Sequence, residues 1–218
     1  MHLTNKTVHI VDDDQAVRKS LKLLLDSAGF RTREYAGGRE FLEHYEPSKP
    51  ECLLLDLRMP DLDGLAVQRE LGERGIDINV VFLSGHGDIP IAVRAVREGA
   101  LDFVEKPFDK DHLLERLRVC ITTDIEQEQA RLDRKEAEEQ LARLTSREKE
   151  IVDMLVEGKI NKVIGADLNI STRTVESHRA RIMKKLGADS LSDVFKLIYA
   201  ARENGQQGEG TGGQEEGA

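Results

Sequence analysis

Three short, nearly uninterrupted apolar runs constrain this chain more than any other feature: TVHIV at 7–11, CLLLD at 52–56 and NVVFLS at 79–84. A strand that meets water on one face alternates apolar and polar residues. A run without that alternation must be covered on both faces, as in a parallel sheet flanked by helices. RTREY at 31–35 and LDFVE at 101–105 complete five strand candidates. Between them lie helical patterns. In QAVRKSLKLLLDSA at 15–28, Val17, Leu21, Leu24 and Leu25 share one face, and Gly29 follows as a natural stop. Segments 38–45, 64–74, 89–98 and 109 onward continue the rhythm. The expected fold is α/β, a doubly wound five-stranded parallel sheet, whose ligands collect beyond the carboxyl ends of the strands.

Those ends carry chemistry. Asp12, Asp13 and Asp14 follow the first run, Asp56 closes the third, Ser84 closes the fourth, and Lys106 follows the fifth just before Pro107. Carboxylates from Asp12, Asp13 and Asp56 brought together would repel, and a hard divalent cation with oxygen ligands is the natural way to neutralise them. Beside such a cation, Asp56 is suited to accept a phosphoryl group, with Lys106 and the Ser84 hydroxyl holding the new oxygens. Other residues here have plainer readings. Asp14 sits at a helix start as an N-cap, and Asp61 and Asp63 in PDLDG read as turn and capping residues. His86, between Gly85 and Gly87, reads as a loop residue.

The second half is built differently. From Asp111 to Leu144 there is no Gly or Pro, and an unbroken helix would span about 50 Å. Leu114, Leu117, Ile121 and Ile125 make an apolar seam for packing on the first domain. Beyond it the stripe thins to Leu132, Leu141 and Leu144, compatible with a solvated connecting helix or a short two-stranded coiled coil. LTSREKEIVDMLVEG then opens with a capping-type Thr145–Ser146 and Glu148, turns Leu144, Ile151, Met154 and Leu155 inward, and stops at Gly158. NKVIGADLNI is a short helix with Val163, Ile164 and Leu168 inward. After a tight turn comes STRTVESHRARIMKKLGA, opened by Ser171 or Thr172, and LSDVFKLIYAAR closes an all-α four-helix unit. Short helix, tight turn and basic helix make a helix-turn-helix pattern. Val175, Ile182 and Leu186 face the core of that unit, while Arg173, Glu176, Ser177, Ala180 and Lys184 share the opposite face. Arg179, Arg181 and Lys185 lie beside it, placed for phosphates. Five bases against one acid over 171–186 form an electrostatic footprint for DNA.

Charge follows the same division. Residues 1–123 hold 22 acids and 17 bases, and 124–143 hold seven and four. Residues 144–202 hold 11 bases and eight acids, and 203–218 hold four acids and no base. The basic block is where a polyanion binds. The tail, without apolar residues, is expected to be disordered. No window approaches the roughly 20 apolar residues of a membrane span, and the start lacks a secretory pattern, so a cytoplasmic setting is expected. The two cysteines, Cys52 and Cys120, have no CxxC partner and are expected to be separate, buried, reduced thiols.

VDDD, LLLDLRMPDLDG, FLSGHGDIP and GALDFVEKPF make residues 7–120 resemble the receiver domain of two-component response regulators, the last two in wording similar to the FixJ branch of the FixJ–NarL group. The resemblance implies that Asp56 is phosphorylated by a sensor histidine kinase. It implies Mg²⁺ bound directly by Asp13 and Asp56, through water by Asp12, and by the backbone carbonyl of Arg58. Ser84 and Lys106 would contact the phosphoryl group, Phe103 is the switch aromatic, and Lys106–Pro107 is a cis peptide. LTSREKEI, EGKINKVIGADLNIS and TRTVESHRARIMKKLGA are similar to the LuxR-type DNA-binding domain. That likeness implies base-edge contacts from Glu176, Ser177 and Ala180. Arg179, Arg181 and Lys184 would touch the backbone or nearby bases, and Arg173, Thr174 and His178 complete the contact set. Two departures stand out: Val163 where an acid is usual, and Gly165 where Ala is usual. A Gly inside a helix is charged up to about 1 kcal/mol relative to Ala.

The expected organisation is a receiver at 5–122, a helical linker at 123–142, the DNA-binding domain at 143–202 and the tail at 203–218. The expected function is a phosphorylation-controlled transcription factor, not an enzyme beyond self-catalysed phosphoryl acceptance and release. It would form homodimers on phosphorylation and read double-stranded DNA at a palindromic site, with RNA polymerase a further partner. Two other readings fit the chain less well. A haloacid-dehalogenase-like phosphatase needs a second Asp two residues after the nucleophile, where this chain has Arg58. A DNA-binding protein with a silent receiver sits poorly with the complete acid–Ser–Lys set.

Overall fold

The structure is a computed structural model that describes residues 6–85 and 89–202; the expected disordered tail and His86 lie outside the described residues. The chain divides into two compact units, Met1–Glu128 and Gln129–Ala218.

The first unit carries strands β1 (Thr7–Val11), β2 (Arg31–Tyr35), β3 (Glu51–Asp56), β4 (Val80–Ser84) and β5 (Asp102–Glu105). Between them run α1 (Gln15–Ser27), α2 (Gly38–His44), α3 (Gly64–Glu73) and α4 (Ile89–Arg97), and α5 (Lys110–Ala142) follows β5 and continues past Glu128 into the second unit. The strands form one parallel sheet in the order β2-β1-β3-β4-β5. The apolar runs are buried on both faces, as their lack of alternation requires. Val8, Ile10, Cys52, Leu54, Val81 and Leu83 pack with Leu21 and Leu25 of α1 and Leu113, Leu117 and Ile121 of α5. The intervening residues Val11, Leu53, Leu55, Val80 and Phe82 pack on the other face with Phe41, Val67 and Leu71 of α2 and α3. Truncating a fully buried member such as Leu54 to Ala costs about 2–5 kcal/mol.

β1 and β3 are neighbours, yet β1 hands the chain to β2 on one side while β3 hands it to β4 on the other. This reversal opens a crevice at their carboxyl ends, between α1 and α3. Side chains immediately after β1 and at the end of β3 therefore meet. Asp14 caps α1 by accepting from Ala16 N–H, and Asp63 caps α3 by accepting from Ala66 N–H, as their positions before apolar helices predict.

The expectation for the cysteines needs correction. Cys52 of β3 and Cys120 of α5 are joined as a disulfide, their Cα atoms 6.2 Å apart. Spacing along the chain gives no warning, because the two are 68 residues apart and meet only when α5 lies across β3.

In the second unit, α6 (Ser146–Val156), α7 (Asn161–Asp167), α8 (Thr172–Leu186) and α9 (Leu191–Arg202) surround Leu144, Ile151, Leu155, Ile164, Val175, Ile182, Leu186 and Val194. Thr145 and Glu148 form a reciprocal capping box at α6, Ser171 caps α8, and Gly187 ends α8 in a left-handed conformation (φ 61°). Val163 is 41% exposed rather than inward. Gly165 is not simply a weak helix residue. A Cβ there would lie 2.8 Å from the carbonyl oxygen of Ile170, whose own N–H bonds Gly165 O at 2.9 Å. The turn between α7 and α8 folds back onto this backbone, and glycine is what lets it approach. Among the described residues, no helix is long and apolar enough to cross a membrane.

Candidate functional site

At the carboxyl edge of the sheet, Asp12, Asp13 and Asp56 each offer a carboxylate oxygen, and these oxygens lie within 4.8 Å of one another. Asp12 and Asp56 are buried, while Asp13 faces solvent. Lys106, arriving from the end of β5, donates from Nζ to Asp12 Oδ2 and to Asp56 Oδ1, both at 2.7 Å. The backbone holds these groups in place. Leu57 N–H bonds Leu83 O, Lys106 N–H bonds Ser84 O at 2.7 Å, and Asp14 N–H bonds Asp12 Oδ1 at 2.8 Å. Gly64 is required beneath Asp56, since a Cβ would lie 2.6 Å from the Asp56 carbonyl oxygen.

The electrostatics are those of a site that needs more positive charge. Burial pushes the Asp56 carboxyl above its usual range; Lys106 opposes this, and the neighbouring charges of Asp12 and Asp13 push it further up. Burial pulls Lys106 down, but its bonds to Asp12 and Asp56 outweigh that and hold its ammonium above the ordinary lysine value. The three carboxylates form a hard-oxygen cluster suited to a divalent cation.

Ser84 is buried at the end of β4, and Phe103 is half-buried against the α2–α3–α4 side of the core, opposite Phe82 in the strand register. Arg58 is exposed two residues beyond Asp56, and the Lys106–Pro107 peptide is cis. Sequence reasoning missed Arg18, whose Nη1 donates to Asp12 O at 2.7 Å. Nothing in an ordinary amphipathic helix marked that arginine.

On α8, the residues Arg173, Glu176, Ser177, Ala180, Arg181 and Lys184 are exposed, the face expected to be free. Thr174 is half-buried, its hydroxyl 2.8 Å from that of Ser171, and His178 is half-buried. Arg179 donates to Asn161 Oδ1 of α7 at 2.7 Å. Lys185, expected among the phosphate-facing bases, is engaged elsewhere: its ammonium is 2.6 Å from Glu148 Oε2. Lys185 and the Thr145 N–H hold the Glu148 carboxyl down to about 2. The reason is rotational, because α8 turns that position toward α6.

A doubly wound sheet with an acidic crevice, followed by a helix-turn-helix unit with a free basic face, defines a signal-receiving DNA-binding protein. Residues 8–118 match the response regulator receiver domain, and residues 142–198 match the luxR family of bacterial regulatory proteins. The chain belongs to the two-component response regulators and is a transcription factor of the FixJ type. It is 40% identical to the transcriptional regulatory protein FixJ of Azorhizobium caulinodans, over 89% of this chain and 92% of that protein. It is 37% identical to the response regulator protein TmoT of Ectopseudomonas mendocina, over 94% and 93%. Among solved structures, the response regulator StyR matches with a TM-score of 0.77 at 38% identity, covering 89% of this chain and 98% of that one. Full-length FixJ from B. japonicum matches with 0.57 at 34%, covering 91% and 98%.

Proposed function

We propose that Asp56 is the phosphoacceptor through which a sensor histidine kinase controls this transcription factor. One Asp56 carboxylate oxygen forms the new bond to phosphorus as the bond from phosphorus to the kinase histidine breaks, leaving an acyl phosphate on Asp56. The observation that carries the reading is the Lys106 ammonium bridging Asp12 and Asp56 at 2.7 Å inside a three-carboxylate cluster. Asp12, Asp13, Asp56 and the Arg58 carbonyl would hold Mg²⁺, which neutralises the approaching phosphoryl charge. The Lys106 ammonium and the Ser84 hydroxyl hold the phosphoryl oxygens, and Phe103, next to this rim, responds to the movement of Ser84.

The readout lies in residues 143–202, joined by a linker over 123–142 to a receiver over 5–122. Phosphorylation favours a homodimer that presents two α8 helices one DNA turn apart, about 34 Å, to a palindromic site, where RNA polymerase is engaged. Arg173, Glu176, Ser177, Ala180, Arg181 and Lys184 supply the exposed contacts, with Thr174, His178 and Arg179 at their margin. The setting is cytoplasmic, and no turnover of free phosphoesters is expected. Acetyl phosphate with Mg²⁺ should label the wild-type chain and leave Asp56→Asn unlabelled; retained labelling on that variant would falsify the assignment. Equal DNA affinity and unchanged oligomeric state with and without beryllofluoride would mean that the receiver does not signal.

A further inference from the structure

The loop between β3 and α3 carries the Arg58 carbonyl, and it is fastened at more than one place. On its α3 side, Gly64 N–H bonds Leu57 O at 3.0 Å, and Asp63 caps the helix. On its other side, Asp61 reaches out of the loop to a different element. Its Oδ2 accepts from Arg39 N–H, at the start of α2, at 3.0 Å. Asp61 is exposed; partial desolvation pushes its carboxyl up, yet the N–H groups of Arg39, Leu62 and Gly38 outweigh this and hold it below its usual range. Asp61 is thus more than a turn residue: it ties together segments 22 residues apart in sequence.

Gly37 shows how closely this tie is built. A Cβ at Gly37 would lie 2.6 Å from Asp61 Oδ2 and 2.8 Å from its Cγ and Oδ1. The Gly37 backbone is extended (φ −177°), so an alanine fits there conformationally. The group it would strike is the far end of a side chain, which can swing away. Losing the tie is therefore cheap for the fold, and the consequence falls on the loop.

Resting on the reading of Asp56 as a Mg²⁺-assisted phosphoacceptor, we propose that Asp61 is a positioning residue for that cation. Its carboxylate anchors the β3–α3 loop to α2, and so sets where the Arg58 carbonyl stands relative to Asp13 and Asp56. Partners that orient a ligand matter to metal affinity nearly as much as the ligands themselves.

The test is Mg²⁺ binding by the full chain, followed by calorimetry, beside labelling rates with acetyl phosphate. Asp61→Ala should weaken Mg²⁺ about 10-fold. Gly37→Ala, which leaves Asp61 in the chain but displaces it, should do the same. Asp61→Asn, which keeps an acceptor oxygen, should restore most of the affinity. At saturating Mg²⁺ both weakened variants should be labelled at the wild-type rate, an outcome that general loosening of the domain does not produce. Wild-type Mg²⁺ affinity in either weakened variant overturns the inference, as does a labelling defect that persists at saturating Mg²⁺. If the wild-type chain itself takes up no Mg²⁺, the phosphoacceptor reading falls and this one falls with it.

Discussion

β3 begins and ends with a buried carboxylate, and the two behave in opposite ways. Glu51, at its amino end, is fully buried, and its oxygens accept from His9 Nε2 at 3.1 Å, Tyr45 OH at 2.6 Å and Ser48 N–H at 2.8 Å. Burial pushes it up, but these donors outweigh burial and the carboxyl sits below its usual range. Beside it, the fully buried Asp124 of α5 accepts from Glu51 N–H and from Lys49 Nζ. Asp56, at the carboxyl end, is crowded by Asp12 and Asp13 and sits above its usual range. The same strand thus holds one acid whose oxygens are satisfied by three donors and another whose charge is only partly answered by Lys106. Hydrogen-bond supply, not burial alone, separates a carboxylate that holds the fold together from one left above its usual range at the proposed phosphoacceptor position.

That contrast can be broken or sharpened. The largest effect is expected at the satisfied end: Glu51→Ala leaves Tyr45 OH and the Ser48 N–H without their acceptor and should lower stability by about 3–5 kcal/mol in urea unfolding. At the other end, a cation should stabilise the fold. Raising Mg²⁺ to 100 times its dissociation constant should add about 2.7 kcal/mol, removed by chelator and lost in Asp13→Asn. Smaller again, Asp56→Asn should raise the stability of the metal-free protein at pH 7, because it removes a carboxylate disfavoured by burial and by the charges of Asp12 and Asp13.

Acid makes the two ends diverge. Asp56, raised in the fold, opposes folding increasingly as pH rises from its unfolded value of 3.8 to its folded value and fully above that, so the advantage of Asp56→Asn should vanish below about pH 3.8, where both states are protonated. Glu51, lowered in the fold, contributes fully above its unfolded value of 4.5, and that contribution drains away as pH falls below it. Unfolding midpoints followed from pH 7 to pH 3 for Asp56→Asn and Glu51→Gln check both signs. The smallest effect belongs to the second unit. Glu148 is of the Glu51 kind, so Glu148→Gln should cost about 1 kcal/mol at pH 7, and the difference should shrink between pH 4.5 and about 2 in thermal melts.

Much of the carboxyl end of β3 was legible along the chain. Acids that directly follow or end apolar strands are conspicuous, and the alternation of strands and helices puts them on one edge whatever the details of packing. Little of the satisfied end was legible. His9 and Glu51 pass for ordinary members of strand runs, and neither Tyr45 nor Asp124 stands in any motif. Asp61 was readable as a capping residue but not as a tie to α2, and Lys185 was readable as basic but not as the partner of Glu148.

Local patterns alone determined which segments become strands and helices, where Asp14, Asp63, Thr145 and Ser171 start them, and which face of α8 stays in water. Each rests on residues a few positions apart, whose relative placement follows from strand and helix geometry. Only the tertiary structure decided that Cys52 meets Cys120, that Glu51 finds support from β1, from Tyr45 just past α2, from Ser48 of its own loop and from α5, and that Gly165 lets a turn fold back on its helix. Those contacts depend on strand register and on how each helix is rotated against its neighbour, quantities set by the packing of the whole core rather than by any stretch of sequence.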